Sequence, residues 1–171
     1  MSNRLARLGS EHPLCDSIQL ITLILFFVTW GIDIIGKVIF GVSTIFVEVV
    51  SIPLLLLPAL FSWSLGIYLV MKSHEAIFGA TTGQPMLNDS GVYSWVRHPM
   101  YLGIMLFCLG FLFIMPSFFS IGVWIVFFIF YDKMATYEEN DLVRILGEKY
   151  INYQKRVPRW FPKLLYFSSK E

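Results

Sequence analysis

The sequence predicts an all-helical integral membrane protein: four transmembrane helices, a cytoplasmic loop between the second and third, and an amphipathic helix after the fourth. Three observations carry that prediction. Only 15% of the 171 residues are charged and 56% are hydrophobic, whereas soluble domains carry about 25% charged residues. The deficit is concentrated in uncharged runs long enough for a helix to cross a hydrocarbon core, which takes about 20 residues. Finally, of 13 Lys and Arg residues, all but Lys37 fall on one side of a path with four crossings.

The first span is expected at about 18–40, "IQLITLILFFVTWGIDIIGKVIF", with Trp30, Asp33 and Lys37 marking the far interface. The second is expected at about 45–71. Pro53 and Pro58 each remove a backbone donor there, so a kink is anticipated. The apolar run from 100 to 131 would measure about 48 Å as one helix, too long for a single crossing. "MPS", Met115 to Ser117, is therefore read as a tight turn between spans at about 100–115 and 117–137.

This path leaves residues 1–17, 72–99 and 132–171 on the same side as the basic residues, and the positive-inside rule makes that side cytoplasmic. Both termini are then cytoplasmic, within a single membrane domain, 1–171. The tail, 138–171, is expected to begin with an amphipathic helix over 138–156, bearing Leu142, Ile145, Leu146 and Tyr150 near one face and ended by Pro158. Trp160 and Phe161, between Arg159 and Lys163, suit a segment lying against headgroups. The N-terminus has no apolar core of signal-peptide type. Cys15 and Cys108 lack ligand spacing and read as small hydrophobes rather than a metal site or disulfide. There is no dinucleotide fingerprint, phosphate loop or zinc pattern, so no metal and no nucleic acid is expected.

The chemistry-bearing residues fall in two clusters. In "VRHPMYLG", Pro99 sets the start of the third span, which holds Arg97 and His98 at a helix entrance with Tyr101 one turn in. A cation gains nothing from the dipole at a helix N-terminus. Arg97 therefore either snorkels to headgroups, with His98 as an interfacial residue, or meets an anion, which would be a ligand carboxylate or the pair Glu138/Glu139 in "YEEND". A tight turn sets the third and fourth spans antiparallel, with Arg97/His98 and Glu138/Glu139 at similar depth. Opposite charges converging at the mouth of a bundle make a site. Between 72 and 99 lies a loop too long to be a plain connection, rich in Gly, Thr, Asn and Ser.

"GVYSWVRHPMY" followed by "EENDLVRILGEKYINYQKRVPRWFP" resembles the membrane-embedded methyltransferases of the isoprenylcysteine carboxyl methyltransferase and phospholipid methyltransferase superfamily. The resemblance covers roughly residues 87–163. It implies S-adenosylmethionine as cofactor, bound by Leu87, Gly91, Tyr93, Arg97, His98, Tyr101, Glu138 and Glu139. It also implies a catalytic set of Arg97, Glu139 and Arg156, and a lipophilic acceptor taken from the bilayer: an isoprenylcysteine carboxylate, a phospholipid amine or similar. The protein would sit in the endoplasmic reticulum or plasma membrane, with membrane lipids as neighbours and an oligomeric state the sequence does not fix. A second resemblance, to the C-terminal part of sterol reductases, would imply NADPH. Ile104 stands where that family has an acidic residue. The third alternative is a non-enzymatic lipid-binding subunit.

Overall fold

A computed structural model describes residues 15–40, 52–78, 87–116 and 118–162. Among these there is no strand. The helices are α1 (Cys15–Phe40), α2 (Ile52–Phe78), α3 (Pro99–Ile114), α4 (Phe118–Leu146) and α5 (Glu148–Arg156), with a 3-10 turn at Gly91–Ser94 before α3. α1, α2 and α4 are each long and apolar enough to cross a membrane, and α3 is a shorter apolar helix of 16 residues. The chain is an integral membrane protein. The predicted entry to the second span at 45–51, Ser117 of the predicted turn, the loop at 79–86 and the tail beyond 162 lie outside the described residues.

α2 and α3 form the most extensive interface, α1 packs on α4, and α3 joins the two pairs through α4. Lipid tails are as apolar as Leu, so helices in a bilayer pair by close approach and hydrogen bonding rather than by escape from water. The α2–α3 seam shows both. A Cβ on Gly66 would sit 2.7 Å from the Gly103 carbonyl oxygen, and one on Gly103 would sit 2.8 Å from that of Gly66. Ser62 Oγ donates to the Leu106 carbonyl (2.7 Å) and Trp63 Nε1 to that of Phe107 (3.1 Å). The α1–α4 seam is larger-grained: Phe26, Phe127 and Tyr131 are fully buried there. Asp33, also buried, accepts a bond from Ser120 Oγ at 2.9 Å.

Two boundaries differ from the sequence reading, for identifiable reasons. α2 runs on to Phe78 instead of stopping near 71, because Lys72 and Glu75 pair one turn apart, at 2.6 Å, and extend it. α4 runs on to Leu146 instead of ending near 137, since no Pro or Gly interrupts the chain between Gly122 and Gly147. Glu138 and Glu139 are thus inside a long helix rather than at the start of a separate tail helix. The break comes at Gly147, whose φ of 55° and ψ of −131° lie in a region open to glycine alone. The nine residues of α5 follow. Ile145, expected on the buried face, is exposed, whereas Tyr150 is buried.

Candidate functional site

α3 begins at Pro99 with His98 as its cap residue. Proline's missing donor costs nothing in a first turn. Glu138 and Glu139 follow residues 118–137 of α4, a stretch about as long as a hydrocarbon crossing requires. The antiparallel pairing brings these carboxylates to the entrance of α3, and the two clusters meet in direct contact.

Glu139 is the centre of that contact, with a 3% exposed surface. Its Oε1 accepts from Arg97 Nε (2.9 Å) and Arg159 Nε (3.1 Å) and faces His98 Nε2 at 3.0 Å. Its Oε2 accepts from Arg159 Nη2 (2.8 Å), Gln154 Nε2 (3.1 Å) and Arg97 Nη2 (3.3 Å). Burial alone would push the Glu139 carboxyl up, but the bonds from His98, Arg159 and Arg97 outweigh it and hold it well below the ordinary carboxylate range. An ionised carboxylate only accepts, so His98 carries its proton on Nε2 in this contact. The bond to Glu139 in turn raises the pKa of Arg159, against the opposing effect of burial.

Arg97 is used equally fully. Besides Glu139 it reaches the carbonyls of Gln154 (3.0 Å) and Val157 (2.7 Å) through Nη1, and its backbone N–H donates to the Pro158 carbonyl at 2.9 Å. It therefore closes the C-terminus of α5, where a cation also suits the dipole. Arg159 donates to Asp132 Oδ1 (3.0 Å) and Thr136 Oγ1 (3.0 Å), and Trp160 Nε1 donates to the same Asp132 oxygen at 2.9 Å.

Glu138 lies on the other side of this cluster. It accepts a hydrogen bond from the Tyr101 hydroxyl. Its Oε2 stands 3.6 Å from His98 Nδ1, beyond hydrogen-bond range. The His98 and Tyr101 rings are parallel, centroids 5.6 Å apart, and Trp160 covers His98 from a centroid distance of 5.9 Å.

The remaining predicted site residues lie in the segment before α3 and at the end of α5. Leu87 packs against the buried trio Tyr150, Tyr153 and Val157. Gly91 opens the 3-10 turn with a φ of 57°. The Tyr93 carbonyl accepts from the Tyr153 hydroxyl at 2.6 Å. Burial pushes the Tyr93 phenol up to about 12, with Ser73 pulling the other way, and burial likewise raises Tyr150 and Tyr153. All three are neutral phenols at physiological pH. Arg156 stands apart from the centre, exposed and paired with Asp89 at 3.1 Å. Asp132 and Gln154 were not anticipated. Asp132 had a readable signal, since it precedes Glu139 by seven residues and so shares its helix face; Gln154 had none.

A groove of about 240 Å³ lies between α1, α2 and α3, lined by Leu23, Gly66, Val70, Met71, Ile104 and Phe107. Ile104 is three residues, about 4.5 Å of helical rise, beyond Tyr101.

The sequence model described as phospholipid methyltransferase matches residues 37–149, well over half of the chain. The chain belongs to this family. The matched region takes in only the C-terminal end of α1, all of α2 to α4 and the beginning of α5, so the family covers both charged clusters. The chain is also 35% identical over 78 residues to the protein-S-isoprenylcysteine O-methyltransferase of Schizosaccharomyces pombe, covering 45% of this chain and 33% of that protein. The Homo sapiens protein of that name is 33% identical over 81 residues (44% of this chain, 27% of that protein). The Arabidopsis thaliana form B is 33% identical over 77 residues (44% and 39%). The matched stretches thus span about a third of the length of these family relatives.

Proposed function

We propose that this protein is an integral membrane methyltransferase that moves the methyl group of S-adenosylmethionine to a lipophilic acceptor, the carboxylate of an isoprenylated cysteine foremost. One observation carries the reading: in a member of the phospholipid methyltransferase family, the arginine–histidine start of α3 and the paired glutamates of α4 converge at one end of the bundle. The names of the relatives favour the isoprenylcysteine carboxylate, and the family description makes a phospholipid amine the second reading. Four crossings with both termini cytoplasmic remain the topology we favour, with α3 as the short third crossing.

The donor's chemistry fits the residues present. When bound, S-adenosylmethionine supplies a methyl group on a positively charged sulfur. Glu138 offers an anion for its ammonium or ribose hydroxyls, and Tyr101 orients that carboxylate. The segment from Leu87 through Gly91 to Tyr93 supplies backbone donors and acceptors. Arg156, exposed beside Asp89, is placed to meet an acidic acceptor. A carboxylate acceptor needs no base, so the protein's share is alignment and exclusion of water. Trp160 over His98 contributes to the latter, and the groove reaching Ile104 suits the acceptor's hydrocarbon chain.

Calorimetric titration of the full chain in nanodiscs with S-adenosylhomocysteine and with NADPH tests the donor. Binding of the first is expected. Binding of NADPH alone would favour the sterol-reductase-like alternative, and binding of neither the lipid-binding subunit. Transfer of labelled methyl to an S-isoprenylated cysteine, compared with vesicles of an aminophospholipid, then decides the acceptor.

A further inference from the structure

We propose that Glu139 is a latch rather than a donor contact, and that Arg159 and Gln154 are positioning residues through which it straps residues 148–160 across the site. The inference rests on the methyltransferase reading only for what the strap encloses; the latch itself stands on geometry. A carboxylate offers about four lone-pair directions, and Glu139 already meets six polar contacts from Arg97, His98, Gln154 and Arg159. Reaching a ligand would mean giving up part of a buried arrangement of two guanidinium groups on one carboxylate.

Charge gives an independent argument. Arg97 and Arg159 carry two positive charges, and Glu139 and Asp132, which Arg159 also pairs with, carry two negative ones. The group is balanced from within and needs no anionic or cationic ligand to complete it. Glu138, with its carboxylate turned to Tyr101, is outside that balance.

The latch joins three separated parts of the chain: the entrance of α3, the emerging end of α4, and the segment after α5. The strap is fixed along its length by Tyr153 to the Tyr93 carbonyl, by Arg97 to the carbonyls of Gln154, Val157 and Pro158, and by Trp160 to Asp132. It ends with Trp160 against His98, whose other neighbour is Tyr101. Releasing Arg159 therefore leaves Trp160 anchored by its Asp132 bond alone among the polar ties at this end, and loosens the setting of the His98 ring.

Hydrogen exchange of the full chain in nanodiscs tests this, with S-adenosylhomocysteine affinity and methyl-transfer kinetics measured on the same variants. Arg159→Lys keeps the charge but not the two-pronged geometry. It should speed exchange of amides in 150–160 about tenfold, the loss of roughly one charged hydrogen bond. Arg159→Leu should speed it further, and the partial recovery in the lysine variant marks the role as electrostatic. Gln154→Leu removes a neutral arm, leaves both ion pairs, and should give a smaller rise. With an S-isoprenylated cysteine as acceptor, kcat should fall in the Arg159 variants while KM for the donor changes by less than about threefold. Unchanged exchange in both Arg159→Lys and Gln154→Leu overturns the proposal. So does Glu139→Gln losing more than about tenfold in affinity with exchange of 150–160 unaltered, the mark of a ligand contact. A wild-type chain that binds no S-adenosylhomocysteine would sink the donor reading, and the exchange data would still decide the latch.

Discussion

Glu139 and Glu138 are adjacent, chemically identical and 100° apart on one helix, and that angle separates what they do. Glu139 points into a nest of donors, and Glu138 toward Tyr101 and the His98 ring. Their consequences for experiment differ accordingly. Glu139 has its folded pKa held below the ordinary 4.5, so its contribution to stability is fully present above that value. It is lost progressively as pH falls below it, because unfolding then takes up a proton that the folded carboxylate refuses. The melting temperature of the purified chain should therefore decline on acidification, and Glu139→Gln should flatten that decline while lowering stability at neutral pH; parallel profiles would contradict this. Glu138→Gln and Tyr101→Phe should each reduce S-adenosylhomocysteine affinity by about tenfold or more, the size of a hydrogen bond to a charged group. Their melting temperatures should stay near that of the wild type. The sequence made the meeting of the two clusters legible, since depth follows from counting residues along two antiparallel helices. It could not show that Arg97 would turn back to close α5. That depends on where the strap lies, which no local pattern encodes.

Among the elements, the α2–α3 pair and the junction at Gly147 are the most sensitive to a single substitution. Gly66 and Gly103 let two backbones approach until each would-be Cβ falls under 3.0 Å from the opposite carbonyl. Gly66→Val should force the helices apart and break the Ser62 and Trp63 bonds to α3, at a cost of about 1–3 kcal/mol for overpacking. A melting temperature lowered by several degrees in detergent would register it. Gly147 has room for a methyl group but not the backbone freedom. Gly147→Ala should cost about 1–3 kcal/mol through its positive φ, and it should also disturb α5, which limited proteolysis would detect. Helix existence was readable from the apolar runs because a bilayer allows few other solutions. Helix ends were less so. The α4 terminus lies nine residues past the point where hydropathy falls, set by a glycine instead of by the membrane surface.

At the scale of the whole molecule, the pairs α1–α4 and α2–α3 are tied together where α3 meets α4, and the charged residues gather at one end of that tie. Four crossings would leave Lys37 facing one side of the membrane and Arg156 the other. Single cysteines placed at these two positions, in a chain with Cys15 and Cys108 replaced by alanine, should label with an impermeant maleimide from opposite faces of sealed vesicles. Labelling of both from one face would refute that topology. Every side chain in the Glu139 assembly lies between residues 97 and 160, whereas the walls of the apolar groove come mainly from α2, with Leu23 of α1 and Ile104 and Phe107 of α3 completing them. On the proposed reading, the latch and the acceptor's groove would draw mainly on different stretches of polypeptide. If that reading holds, an engineer wishing to redirect such a protein to a new lipid could rework Leu23, Val70 or Met71 without touching the ionic assembly around Glu139.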